Sequence, residues 1–212
     1  MKKCLLSLII ALGFSQSAIA ANETDKEQWQ LTVFVGERTS SSFEDDDELD
    51  EETPAFEVDF LNEASAGIIL GWDYDYNSQG ELLFSHSNTE FDEGGDVALD
   101  DMEISISYLH LGGNVMVSDG KLPVYISAGI GIAHLAPSDS SLDSETKPSA
   151  NLGVGVRFNF NDNLSLRLDA RGYGTFFDSD GYIFCSGDTC KIRTSSSVWF
   201  QADFTAGLSY LF

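Results

Sequence analysis

The sequence predicts an all-β chain folded as an eight-stranded antiparallel up-and-down transmembrane β-barrel, and three observations carry that expectation. Eight segments alternate apolar and polar residues with the period of two that marks a strand with one oily face. The connections alternate strictly between three short turns and four long loops, the asymmetry of a barrel whose two rims face different compartments. Aromatic residues of the apolar parity, Trp29, Trp72, Tyr74, Phe158, Phe160, Tyr210 and Phe212, gather near the short-turn end as a girdle would. A soluble eight-stranded barrel of the lipocalin kind shares the alternation but turns its apolar face inward. Alternation alone does not say which face points in, and the girdle decides for lipid.

The chain opens with Lys2 and Lys3, an apolar run from Leu5 to Phe14, and then Ala18, Ile19 and Ala20. That is the order of a secretory signal, with cleavage expected after Ala20, so that 1–20 is removed and 21–212 forms the barrel domain. The apolar run is too short to span a membrane as a helix. Cys4 lies before the cleavage site, so no lipoprotein anchor is expected. The formal charge of −24 becomes −26 without Lys2 and Lys3, which argues against nucleic acid as a partner.

The first strand is expected from about Trp29 to Gly36, with Trp29, Leu31, Val33 and Val35 on its oily face. An external loop over about 37–63 follows, because Glu44 to Glu52 holds eight carboxylates in nine residues and such a run repels itself. A second strand covers Ala64 to Tyr76 and closes in a turn at Asn77, Ser78, Gln79 and Gly80. The third, Glu81 to about Phe91, has Leu82 and Phe84 on the parity of His86 and Asn88, which leaves its facing open and admits a bulge. A loop over about 88–101 leads to a fourth strand, where Met102, Ile104, Ile106 and Tyr108 set the oily face and a change of phase is expected near Gly112 and Gly113. The fifth strand pairs Val124, Ile126, Ala128, Ile130 and Ile132 against Tyr125, Ser127 and glycines, and a loop over about 135–149 follows. The sixth and seventh, around Asn151 to Phe160 and Leu164 to Arg171, flank a turn at Asn161, Asp162 and Asn163. A loop over about 177–196 precedes the last strand, Val198 to Phe212.

The end of that strand, with polar Thr205, then Gly207, Tyr210 and a terminal Phe212, resembles the C-terminal sorting signal of Gram-negative outer-membrane barrels. Together with the strand count and the glycine-rich alternation of strands five and six, it makes the mature chain similar to the small porin-like barrels of the OmpA transmembrane, OmpX and opacity-protein type. The resemblance implies a monomer in a Gram-negative outer membrane, both termini periplasmic, surrounded by lipid and lipopolysaccharide and folded by the barrel assembly machinery. It implies a structural or surface-interaction role exercised on an external protein or host ligand. The chain ends at Phe212 without the peptidoglycan-binding domain of full OmpA, so a cell-wall tether is not expected.

The polar parity holds Arg157, Arg167, Asp169, Arg171 and Asp203. Inside a narrow barrel these charges should pair, so an interior ion-pair network is expected, with Arg171 and Asp203 at similar depth on adjacent strands. A narrow ion or solute channel is the alternative. Cys185 and Cys190 remain after the signal is removed, and in an oxidising compartment a disulfide closing that loop is the reading. Zinc competes with it but needs about four N or S ligands, and none flank the pair. Asp178, Asp180 and Gly181 resemble only part of a calcium loop, so no metal or cofactor is assigned. Ser85, His86, Ser87 and Asn88 resemble the His-x-Ser-Asn motif of lipid A deacylases but miss it by one residue. Adjacent strand residues face opposite ways, so His86 cannot serve Ser87, and no catalytic residue is assigned.

Overall fold

The computed structural model describes residues 28–40, 63–75, 77–90, 103–118, 122–138, 143–177, 182–186, 189–193 and 198–212. The expected signal, the acidic run from Glu44 to Glu52 and the partial calcium motif lie outside the described residues. The described residues form ten strands: β1 Trp29–Ser40, β2 Glu63–Asp75, β3 Ser78–Glu90, β4 Glu103–Ser118, β5 Val124–Pro137, β6 Glu145–Asn159, β7 Leu164–Phe176, β8 Tyr182–Ser186, β9 Thr189–Arg193 and β10 Val198–Leu211. Eight close into an antiparallel barrel in the order β1, β10, β7, β6, β5, β4, β3, β2, and β8 with β9 makes a separate hairpin. Apart from the seam where β10 meets β1, every barrel pairing joins consecutive barrel strands, with the β8–β9 hairpin inserted between β7 and β10, which is up-and-down topology.

The register fixes the shape. Paired residues lead from Gln30 through Gly71, Glu81, Gly112, Gly129, Asn151, Tyr173 and Gln201 to Ser40, back on β1 ten residues higher. Eight strands with that stagger tilt at about 40° and leave an interior that side chains fill. The seam is closed by reciprocal backbone bonds, Trp29 N–H to the Phe212 carbonyl at 3.1 Å and Phe212 N–H to the Trp29 carbonyl at 2.8 Å. At the β6–β7 turn the Asn161 Oδ1 accepts from the Asn163 and Leu164 N–H groups at 2.9 and 2.8 Å, an asparagine standing in for a backbone turn.

The faces are those of a membrane barrel. Along β10, Phe200, Phe204, Leu208 and Tyr210 are exposed while Trp199, Gln201, Asp203 and Ser209 are buried, and the same alternation runs round the wall. Trp29, Tyr74, Phe158, Phe160, Tyr210 and Phe212 are exposed at the rim that carries both ends of the barrel. Trp29 and Trp72 sit 6.0 Å apart, and the Trp72 indole lies over Gly80, where a Cβ would collide with it.

Five expectations need correction. β1 continues past Gly36 to Ser40, because Glu37 and Arg38 keep the strand's alternation and Arg38 finds a partner inside. β3 starts at Ser78 and ends at Glu90 and keeps one phase from Gln79 on, the register shift of the β2–β3 pairing falling at Asp73/Asp75: Glu81, Leu83, Ser85 and Ser87 face in, and Leu82, Phe84 and Asn88 face out. β4 keeps one phase through Gly112 and Gly113, and Ile104, Ile106 and Tyr108 point inward. What changes there is the chemistry of the inward face, from apolar near the far rim to polar at Asn114, while the register shift falls at Met116–Ser118. β5 and β6 run to Pro137 and from Glu145, which shortens the expected 135–149 loop. The 177–196 connection contains the hairpin β8–β9, set in register by Ile183 opposite Ile192 and Cys185 opposite Cys190.

Gly155 faces the interior where the Tyr125 ring lies against its backbone, so any side chain there meets the ring. Gly155→Val is expected to lower stability by about 1–3 kcal/mol through overpacking. Urea unfolding of the folded barrel in lipid, followed by tryptophan fluorescence, measures it.

Candidate functional site

The barrel interior is the candidate site, because it gathers eight buried charged side chains of the described strands. Arg38, Arg157, Arg167 and Arg171 are buried there with Glu63, Glu81, Asp169 and Asp203, four of each sign. The interior is thus balanced, and the chain's net charge of −24 belongs elsewhere in the sequence.

Nearest the rim with both ends, the Arg157 guanidinium donates to Gln79 Oε1 at 2.9 Å and to Gln30 Oε1 at 3.3 Å. Above it lies a four-membered ion cluster. Arg167 meets Glu81 Oε1 at 2.6 Å and grips Asp169 with Nε at 2.8 Å and a second nitrogen at 3.0 Å. Arg171 reaches Glu81 Oε2 at 3.3 Å and Asp169 Oδ1 at 3.5 Å. Asn114 donates to Glu81 at 2.8 Å, and the Arg167 guanidinium lies 4.6 Å from the Tyr125 ring centre. Glu81 and Asp169 therefore each have two cations, which offsets the loss of water around these buried charges.

From Arg171 the contacts climb through Asn151 at 3.1 Å to His110, which binds Asn151 through Nδ1 and the Ser149 hydroxyl through Nε2 at 2.6 Å. Tyr108 and Tyr173 stack beside it, ring centres 4.5 Å apart and 22° from parallel. The Arg38 guanidinium is 5.1 Å from both rings, donates to Ser87 at 2.9 Å and forms an ion pair with Asp203 at 2.7 Å. Ser65 donates to the other Asp203 oxygen at 2.6 Å. Tyr108 donates to Gln201 at 2.6 Å, and Gln201 donates to Ser40 at 2.6 Å. Toward the far rim Ile104, Ile106, Leu135, Phe177 and Trp199 make an apolar layer.

Of the residues singled out from the sequence, the structure brings together Arg167, Asp169 and Arg171. Arg171 and Asp203 are direct cross-strand neighbours, yet their side chains turn apart, Arg171 to the lower cluster and Asp203 to Arg38. Arg157 is set below, on glutamines. Gly207 faces in, where a Cβ would crowd Phe34 and Thr32; Thr205 packs its methyl on Gly36; Tyr210 and Phe212 face outward. The backbones of Cys185 and Cys190 are paired, but their side chains lie outside the described residues. Sequence reading missed Arg38 and Glu81, although both share the parity of their strands' polar face, with Gln30 and Thr32 for one and Gln79 and Ser85 for the other.

Ser87 points inward to Arg38 while His86 faces the other way and holds Ser107 at 2.9 Å, so the two do not form a nucleophile–base pair. Among the described residues no carboxylate binds His86 or His134, and no group of three or more His, Cys, Asp or Glu is placed to hold a metal ion.

A closed barrel that is apolar outside and ion-paired inside defines an integral β-barrel membrane protein. The model of the outer membrane protein beta-barrel domain family matches residues 6–212, and the chain belongs to that family. Its fold is similar to the crystal structure of Neisserial surface protein A, with 10% identity, coverage of 86% of this chain and 96% of that one, and a TM-score of 0.57. AlkL, solved by solid-state NMR in lipid bilayers, aligns at 15% identity over 92% and 94% with a TM-score of 0.59. Ail, the attachment invasion locus protein of Yersinia pestis, aligns at 11% identity over 89% and 100% with a TM-score of 0.51. Comparison with curated proteins by sequence gives no match.

Glu81→Gln removes the charge that Arg167 and Arg171 share. It is expected to cost about 3–5 kcal/mol, the penalty for an uncompensated buried ion, read as a lower urea midpoint and earlier loss of the compact gel form on heating.

Proposed function

We propose that this protein is a structural or surface-interaction component of the Gram-negative outer membrane, working through its four long connections, with a barrel that does not conduct. The observation that carries the reading is the filled cross-section. The Tyr108–Tyr173 stack, Arg38 and Asp203 are each at most 2% exposed and bridge opposite walls between two further layers of buried side chains. In this reading the rim with the short turns and both chain ends is periplasmic, and Tyr210 and Phe212 present the assembly signal there. The long connections are external and carry the acidic run from Glu44 to Glu52.

The charge of that run narrows the class of partner. Ail from Yersinia pestis was crystallised with the heparin analogue sucrose octasulfate. Eight carboxylates in nine residues would repel such a polyanion, so the partner favoured here presents basic groups. A disulfide between Cys185 and Cys190 belongs to the same reading, supported by their opposed positions in the β8–β9 register. Treatment with a thiol-alkylating reagent should label the purified protein only after reduction.

In planar lipid bilayers the wild-type barrel should add no stable unitary current. The Tyr108→Ala/Tyr173→Ala variant, which removes the stack, should add conductance steps. Stable steps from the wild-type protein would favour a channel and refute the filled-barrel reading.

A further inference from the structure

The outer face of β3, β4, β5 and β6 changes character within one step of the pleat. Phe84, Leu109, Ile132 and Pro148 lie opposite one another across the four strands, all exposed on the outside. The next outward row, two residues nearer the rim distant from the chain ends, is His86, Ser107, His134 and Thr146, again aligned strand by strand. Hydrogen bonds tie the row into pairs: His86 Nδ1 with the Ser107 hydroxyl at 2.9 Å, and His134 Nδ1 with the Thr146 hydroxyl at 2.9 Å. One row further, Ser105 donates to Asn88 at 2.8 Å.

We propose that this row is a binding site for the phosphate-bearing headgroup of a membrane lipid. Its depth is the first argument. Along each of these strands an outward apolar residue gives way to a hydrogen-bonding one toward the far rim, the change expected where acyl chains end and headgroups begin. Because the strands are staggered, the row climbs toward that rim from His86 to Thr146.

The distribution of cations is the second. Arg38, Arg157, Arg167 and Arg171 are all buried inside, and Lys147 lies on the inward parity of β6 with Glu145 at 2.9 Å. Among the described residues, the outward faces of these four strands therefore carry no lysine or arginine, and the two histidines are the cation-capable groups that meet the lipid.

The third argument is donor chemistry. A hydroxyl that donates to Nδ1 leaves Nε2–H as a donor, and an imidazolium presents the same Nε2–H. Phosphate oxygens accept only, so a bound phosphate selects these states, and the bond is charge-assisted. His86 and His134 are two strands apart, about 10 Å, with the Ser107 hydroxyl between them, a span that suits one headgroup. Glu103, on the outward parity of β4, stands toward the rim beyond the row and sets the upper edge of an anionic ligand's reach.

The test uses the folded barrel in a phosphate-free maltoside detergent and native mass spectrometry. The probes are diphosphoryl lipid A, its dephosphorylated form, phosphatidylglycerol and diacylglycerol. Wild-type protein is expected to retain a phosphorylated probe and release its phosphate-free counterpart. His86→Gln/His134→Gln, which keeps an amide able to bond Ser107 and Thr146, is expected to lower retention about tenfold. Heat-dependent gel mobility verifies that the variant is folded. Retention of lipid A alone assigns the site to the glycolipid, and retention of phosphatidylglycerol as well assigns it to lipid phosphate in general. Equal retention of phosphorylated and phosphate-free probes, or undiminished retention by the variant, overturns the proposal. On the wild-type protein, a dipolar contact between histidine Nε2 and lipid phosphorus in solid-state NMR is the independent readout, and its absence with lipid A bound also overturns it.

Discussion

The ion pair between Arg38 and Asp203 sits where the barrel has to close. The two residues are cross-strand partners on β1 and β10, the first and last strands of the barrel. Both side chains are fully buried, so neither charge has water to fall back on. Arg38 also holds Ser85 and Ser87 on β3, and Asp203 holds Ser65 on β2. One pair thereby ties four adjacent strands at the seam. The reciprocal backbone bonds between Trp29 and Phe212 secure the same seam at the rim.

The other interior layers follow from the same constraint. A barrel of eight strands is too narrow for bulk water at its axis, yet its wall faces lipid, so apolar residues are committed outward and polar ones inward. An inward polar face is stable only if its groups satisfy one another. Glu81, Asp169, Arg167 and Arg171 do so as a cluster, and the tyrosine stack spans the gap between that cluster and Arg38. Glycines make this geometry attainable, as at Gly155 under the Tyr125 ring. The outward wall is apolar through its middle, carries carboxylates such as Glu37 and Glu103 toward its far rim, and on β3 to β6 turns polar at the row of His86 and His134.

The strand number, the orientation of the faces and the girdle were legible in the sequence, because a two-residue period with aromatics at one end has few other physical meanings. The partners within the interior were not. Cross-strand adjacency correctly put Arg171 and Asp203 at one depth, but adjacent positions say nothing about where long side chains turn: Arg171 reaches Glu81 across the lumen, and Asp203 pairs with Arg38 on the strand at its other side. Arg38 was hidden because it follows Glu37 and precedes an acidic stretch, a composition that imitates a loop; its parity with Gln30 and Thr32 was the signal available. Ile104, Ile106 and Tyr108 misled in the opposite sense. Apolar residues near the far rim face inward there, where the barrel is closed by packing and no longer needs polar filling.

The central claim is that the Arg38–Asp203 pair is coupled energy at the closing seam, beyond two well-tolerated buried charges. A double-mutant cycle with Arg38→Met, Asp203→Leu and the combined variant, measured by reversible urea unfolding in lipid vesicles, isolates that coupling. The structure predicts that each single variant is strongly destabilised and that the double variant recovers much of the loss, with a coupling of about 2–3 kcal/mol. Additive effects, with coupling below about 0.5 kcal/mol, would contradict it.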